Sequence, residues 1–319
     1  MKRGLIRWDE SELPRAALDA RLEAARALAA KLDVPAIVVY TDVWRSNVAR
    51  SLVNFMPYWG RSLLVVPRED APMLLCGNSP RVYPWLRTVT YVAELRPTKD
   101  LGAGLVDLAR SERWRRIGMS DLSMLPYDIH RNLDGAEITL VDVSGEALSG
   151  ADATELSMRR IGAEATRTIV ESLVVDATAR PERELVSRLE RALRRGGMED
   201  VVIRLADETS SPRPASGRAM KAASSVVVGT EYRGHWAHLS RPVGAPEPEA
   251  RAAFVEALRS DAGAIVHRFD LSGPFPFRAV ASGVPIEPGR LVAVHLELSP
   301  GRLYGDTCVS GPTGTATVL

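Results

Sequence analysis

Residues 286–301, Ile-Glu-Pro-Gly-Arg-Leu-Val-Ala-Val-His-Leu-Glu-Leu-Ser-Pro-Gly, decide how the second half of the chain folds. The turn-forming pairs Pro288-Gly289 and Pro300-Gly301 bracket a strand-length run, Leu291–Leu298, rich in valine and leucine. Side chains on a strand alternate between two faces. Ala293, His295 and Glu297 therefore share one face, and Val294, Leu296 and Leu298 share the other. The apolar row is expected to pack under helices, which leaves the polar pair facing an open cleft. In the following run, residues 304–319, YGDTCVSGPTGTATVL, the same rule sets Asp306 beside Tyr304 and Cys308, away from the Gly305 position.

Working outward, a strand pair is expected near Ser225–Gly229 and Trp236–Ser240. His235 and His238 lie three apart, so a strand sends them to opposite faces and they are not a chelating pair; only His238 is expected in the cleft. Upstream, Asp152 or Thr154 can cap a helix with Met158, Ile161, Ala165, Ile169 and Leu173 on one stripe. Pro181 suits the first turn of a second helix carrying Leu185, Leu189 and Leu193, which Gly196-Gly197 ends. A third helix is expected from about Glu247 to His267, with Phe254, Leu258 and Ile265 inward.

The first half reads as one α/β domain. Helices are expected over Pro14–Lys31 and Leu101–Ser111, with strands at Ala36–Tyr40, Ser62–Pro67, Pro72–Cys76, Val89–Val92 and Glu137–Val141 forming one mixed sheet. The small, polar run Val143–Asp152 marks the change of pattern, and the domains are placed at 1–148 and 149–319.

Composition narrows the function classes. The 319 residues are 45% hydrophobic and 25% charged, as in a globular protein of two domains. With 41 basic and 40 acidic residues the net charge is +1, so no global field draws the chain to nucleic acid or to an anionic membrane. Four lysines against 37 arginines fit a coding bias, because the arginines fall on every expected helix. Cys76 and Cys308 are isolated, which points away from a disulfide framework and from a thiolate zinc site. The opening MKRGLIRWDESELPR is charged where a signal peptide is apolar, and a cytoplasmic protein is expected. No phosphate loop, nucleophile elbow or dinucleotide fingerprint occurs.

Several segments resemble the aminopeptidase P/creatinase/methionine aminopeptidase (M24) family. ADATELSMRRIGAEAT (151–166) resembles the entry helix of that family's catalytic domain, and RPERELVSRLERALRRGG (180–197) its next helix. Gly234–Arg241, GHWAHLSR, resembles the motif G-Y-x-x-D-x-T-R, and residues 286–301 and 304–319 resemble its two closing strands. RLEAARALAAKLDVPAIVVY (21–40) and RSLLVVPREDAPMLLC (61–76) resemble the creatinase-type N-terminal domain. The implied fold class is α/β (α+β): a creatinase-like N-terminal α/β domain, then a shortened "pita-bread" domain with a curved antiparallel sheet and outer helices. A homodimer is implied as well.

Typical members hold two metal ions with two Asp, one His and two Glu. The resemblance puts His238 at the second aspartate and Val227 at the first. It puts His295 at the first glutamate, or Glu297 if the register slips by two, and Gly305 at the second, with Asp306 beside it. The ligand histidine has no counterpart in 241–289, where His267 at a helix end and the segment SGPFPFR (272–278) are all that is on offer. The substrate-facing histidine has none in SSPRPASGRAM (210–220). The expected reading is therefore a divergent member without the two-metal centre and with no cofactor, a metal-independent hydrolase or lyase of the creatinase type. It would act on a small amino-acid-like, guanidino or amide substrate. His238, His295 and Glu297 would carry the acid–base chemistry, and Glu231, Arg241, Arg302, Tyr304 and Asp306 would bind substrate. The alternative is an inactive pseudo-peptidase that binds or scaffolds. A mononuclear site from His238, His295 and Glu297 or Asp306 is a minor alternative, and an Xaa-Pro metallopeptidase stands third.

Overall fold

The computed structural model of the protein describes residues 8–143, 148, 152–208, 210–244, 248–259, 265–271, 278–280, 288–311 and 316–319. It divides after Asp152 into two compact units. Most of the expected boundary segment, Val143–Asp152, lies outside the described residues.

In the first unit the elements run α1 (Arg15–Lys31), β1 (Ala36–Thr41), α2 (Asn47–Val53), β2 (Ser62–Pro67), β3 (Met73–Cys76), α3 (Tyr83–Leu86), β4 (Glu94–Pro97), α4 (Leu101–Ser111), β5 (Arg116–Ser120), α5 (Tyr127–Asp134) and β6 (Thr139–Asp142). The strands form one mixed sheet in the order β4-β3-β2-β1-β5-β6. Strand β1 is buried along its whole length, because helices cover both faces. Ile37 and Val39 pack with Leu22, Ala25 and Leu52 on one side; Ala36, Val38 and Tyr40 pack with Leu105, Ile129 and Leu133 on the other.

The expected strand Val89–Val92 does not form. Its backbone is tied to the end of α2 instead: the Tyr91 amide and the Thr90 hydroxyl both donate to the Val53 carbonyl, and Asn54 Nδ2 donates to the Val89 carbonyl. With those groups engaged, the segment has no ladder to join, and the edge strand is β4.

The second unit begins with α6 (Ala153–Val174) and α7 (Glu182–Arg195), followed by β7 (Asp200–Asp207), β8 (Ser210–Arg213), β9 (Ser225–Tyr232), β10 (His235–Pro242), α8 (Pro248–Ala257), β11 (Ile265–Asp270), β12 (Arg278–Val280), β13 (Leu291–Ser299), β14 (Arg302–Ser310) and β15 (Ala316–Val318). The strands build a curled antiparallel sheet ordered β12-β11-β13-β14-β10-β9-β7-β8, with β15 on β14. One face is covered by helices. Leu185, Leu189 and Leu193 of α7 are fully buried against Leu205, Val226, Val228 and Leu239, each such leucine contributing about 1.5–3 kcal/mol. Phe254 of α8 packs on Val292, Val294, Leu296 and Tyr304.

Two helix expectations change. The buried stripe of α6 runs through Glu155, Met158, Arg159, Gly162, Thr166 and Val170, while Ile161 is exposed. The helix is rotated because Gly162 meets Tyr232, where an added Cβ would come within 2.8 Å of the tyrosine Cβ, and because Arg159 donates to the Trp236 carbonyl at 2.6 Å. Helix α8 ends at Ala257, and Ile265 and His267 belong to strand β11, residues 260–264 between them lying outside the described residues.

Candidate functional site at the helix-free face

Alternation along five strands gathers polar groups on the face opposite the helices. Antiparallel pairing sets Val227 opposite Ser240, Gly229 opposite His238 and Glu231 opposite Trp236. His295 pairs with Gly305 on β14 and with His267 on β11, and Ser240 pairs with Gly305 from the other side. His238, Ser240, His267, His295 and Glu297 thereby share one face, in line with the parity of residues 286–301.

The rings touch at aromatic distances. His238 and His295 lie 6.5 Å apart between centroids, and Phe269 of β11 stands 6.5 Å from His238 and 5.7 Å from His295. Both imidazoles are buried. Burial lowers their basicity: His238, opposed further by His295 and Arg159, is pushed down to about 3, and His295, partly offset by the Asp306 charge, to about 4. Both are neutral at pH 7. His295 Nδ1 and Ser240 Oγ share a hydrogen bond of 2.8 Å, while His295 Nε2 is buried with no hydrogen-bond partner among the described residues. Thr307 fixes the His238 backbone, its hydroxyl accepting from the amide at 2.7 Å and donating to the carbonyl at 3.0 Å.

At the rim, His267 Nε2 lies 3.5 Å from Glu297 Oε2, with the histidine half exposed and the carboxylate less so. The sequence reading placed His267 at a helix end and so missed it as a site residue; only the β11–β13 pairing puts it beside His295. The segment 272–277, noted in the same region, lies outside the described residues.

Gly305 is required where it stands. A Cβ there would sit 2.5 Å from His295 Nδ1, 2.5 Å from the Val294 carbonyl oxygen and 2.8 Å from Ser240 Oγ. Since one of these contacts is backbone, the strand itself must shift. Gly305→Ala is expected to lose about 2 kcal/mol through overpacking and the strained Ser240–His295 bond, read as a lower urea midpoint.

Three of the residues expected to bind substrate here do not reach this face. Arg241 follows Ser240 and so points to the helices, as do Tyr304 and Asp306 around Gly305. There Asp306 accepts from Arg241 Nη2 at 2.9 Å and from Arg167 Nε and Nη2 at 3.0 Å. The Arg241 guanidinium lies 4.3 Å over the Tyr304 ring. Asp306 is thus held away from His238 and His295, and any mononuclear site drawing on it fails on geometry. Arg302, at the β13–β14 hairpin, donates to the Ala222 carbonyl at 3.2 Å. Glu231 does share the site face, buried beyond Trp236. His235 sits on the helix side, 3.5 Å from Glu155. That proximity, with Arg159, holds the Glu155 carboxyl far below its ordinary range against the upward push of burial.

The positions that the resemblance assigns to metal ligands carry Val227, His238, His295 (or Glu297, if the register slips by two) and Gly305. Valine and glycine supply no donor, and at most one carboxylate, Glu297, stands where the family has four. These residues do not fit a two-metal centre. Among the described residues, no group of three or more His, Cys, Asp or Glu is arranged to hold a metal ion.

A mixed α/β unit followed by a curled antiparallel sheet, with helices outside and a polar cluster inside, defines the pita-bread class of fold. Solved structures share it over nearly the whole chain. The X-Pro aminopeptidase from Thermotoga maritima superposes with a TM-score of 0.71 at 14% identity, over 93% of this chain and 97% of that one. The prolidase from Thermococcus sibiricus gives 0.70 at 15%, over 94% and 95%, and the Xaa-Pro dipeptidase from Bacillus anthracis gives 0.66 at 14%, over 94% and 97%. At such identities the likeness is one of fold. No family model and no curated protein matches the sequence. Among the described residues, no helix is long and apolar enough to cross a membrane.

Proposed function

We propose that the protein is a divergent member of the aminopeptidase P/creatinase family that works without a two-metal centre, on a small amino-acid-like substrate carrying an amide or guanidino group. The observation that carries this reading is His295, whose Nδ1 is anchored by Ser240 while its buried Nε2 has no partner among the described residues. A buried polar atom left in that state costs about 1–3 kcal/mol, and a polar atom of a bound substrate would remove the cost. Because His238 and His295 are neutral, they suit hydrogen bonding to a carbonyl or imino group. Breaking a C–N bond also requires a proton to pass from water to the leaving nitrogen. Glu297, paired with His267 at the rim, is the group in this reading that takes it up and returns it. Glu231 supplies a carboxylate on the same face for a cationic guanidino group.

The test is turnover on a panel of guanidino acids and Xaa-Pro amides after exhaustive chelation. Retained activity is expected, with kcat/KM lowered at least about 100-fold in His295→Ala. Activity that vanishes on chelation and returns with two bound divalent ions overturns the proposal.

A second reading, an inactive binding protein on the same scaffold, is favoured by the same low basicity, since neither buried imidazole is a competent base at pH 7 without a ligand. Saturable binding of a panel compound, sensitive to His295→Ala but with no turnover, would establish it over the first.

A further inference from the structure

Behind the sheet, α6, α8 and strands β10 and β14 border a cavity of about 960 Å³, at the upper end of the roughly 300–1,000 Å³ typical of small-ligand sites. It exists because the two halves of the sheet are backed unequally. The β9–β10 half carries α6 and α7, of 22 and 14 residues, whereas the β13–β14 half carries α8, of 10. Arg241, Tyr304 and Asp306, the residues that alternation turned away from the histidine face, form part of its lining.

The lining has a definite chemistry. Arg167 and Arg241 are committed to Asp306, and Arg241 also to Glu171. Arg251 of α8 lines the same space and makes no ion pair among the described residues, while the lining carboxylates are engaged elsewhere, Asp306 and Glu171 with Arg241 and Glu256 with Arg259. The Tyr304 hydroxyl has no hydrogen-bond partner there either. Phe254 packs against the Tyr304 ring at 5.4 Å, and Val174 and Val318 complete an apolar wall. A guanidinium and a phenol beside aromatic and aliphatic surface match a carboxylate on a flat apolar body: the charge is met by a planar donor and the body is removed from water.

We infer that this cavity is a second binding site, for a small aromatic carboxylate, separate from the histidine face. Arg251 holds the carboxylate, Tyr304 donates to it, and Phe254 with the valines covers the ring. The inference does not depend on the proposed function.

The full-length protein should be titrated with anilinonaphthalene sulfonate, and the fluorescent probe then displaced with naphthoate or with naphthalenemethanol, its uncharged counterpart. Naphthoate is expected to displace the probe at least about tenfold more effectively than the alcohol, the margin of one charge-assisted hydrogen bond. Arg251→Gln, an exposed substitution, is expected to erase that margin. Ala252→Trp, which fills the cavity from α8, is expected to abolish displacement while circular dichroism stays unchanged. His295→Ala is expected to bind as the parent does. Equal displacement by acid and alcohol, or naphthoate binding that survives both α8 substitutions, overturns the inference. So does binding lost in His295→Ala, which would put the ligand on the other face.

Discussion

Asp306→Ala is expected to destabilise the second unit by about 3–5 kcal/mol, the range for removing one partner of a buried ion pair. The carboxylate neutralises two arginines at once, accepting from Arg167 through two bonds and from Arg241 through one. Arg241 is as buried as Asp306, each side chain only 4% exposed. Without the carboxylate, the Arg241 charge stays inside with Glu171 as its remaining ion-pair partner, on the edge of the cavity. Glu171→Ala is the internal comparison. Its carboxylate is 44% exposed, so the same kind of bond to the same arginine is expected to be worth under about 1 kcal/mol. Urea unfolding of the two variants, followed through tryptophan fluorescence and circular dichroism, checks the contrast. Equal midpoints would mean that water reaches the Arg241–Asp306 pair and that the cavity floor is not dry.

The same network marks where sequence reasoning works and where it stops. Strand parity needs only local information, and from it the sequence places His295, Glu297 and Gly305 on one face and Asp306 with Tyr304 on the other. Applied to His238, Ser240 and Arg241, the same rule already turns Arg241 toward the helices; assigning it to the cleft weighed charge above alternation. His267 was out of reach. Its position depends on β11 pairing with β13 across a long gap in sequence, and the helical spacing of Phe254, Leu258 and Ile265 outweighs the break signal of Ser260-Asp261-Ala262-Gly263 in FVEALRSDAGAIVHRF. The rotation of α6 shows a related limit, since hydrophobic spacing favours Ile161, while the buried side is set by Gly162 admitting Tyr232 and by Arg159 reaching a carbonyl of β10. Helix α7 has no such competing contacts, and its leucines lie where their period predicts. In the first unit the continuous apolar run of β1 was plain, whereas β5, Arg-Ile-Gly-Met-Ser, is too short and too polar to signal a strand by itself.

Acidification is expected to remove stability through the two buried imidazoles, and the sign follows from where the protons bind. In an unfolded chain a histidine titrates near ~6.5. In the folded protein burial pushes His238 down to about 3 and His295 to about 4. Above pH 6.5 both states hold both rings neutral, and the full stability is present. Between about pH 6.5 and 4.5 the unfolded chain takes up protons that the folded one refuses, so stability falls, by on the order of 5 kcal/mol from pH 7 to 4.5 for two such groups. Glu155 enters only at the acid end of this window. Its carboxyl, held down by Arg159 and His235 against the effect of burial, begins to lose its contribution as pH falls through the ordinary carboxylate range. The measurement is the urea midpoint and slope at pH 7.5, 6.5, 5.5 and 4.5 for the parent and for His238→Asn/His295→Asn. The double variant is expected to be less stable at neutral pH yet to lack a pH dependence equivalent to about two protons, a difference that a purely structural loss would not produce. Parallel pH profiles would show that the rings exchange protons with bulk water. Neutral hydrogen bonding in a dry site would then fail as the basis for substrate recognition at this face, whatever the turnover assays gave.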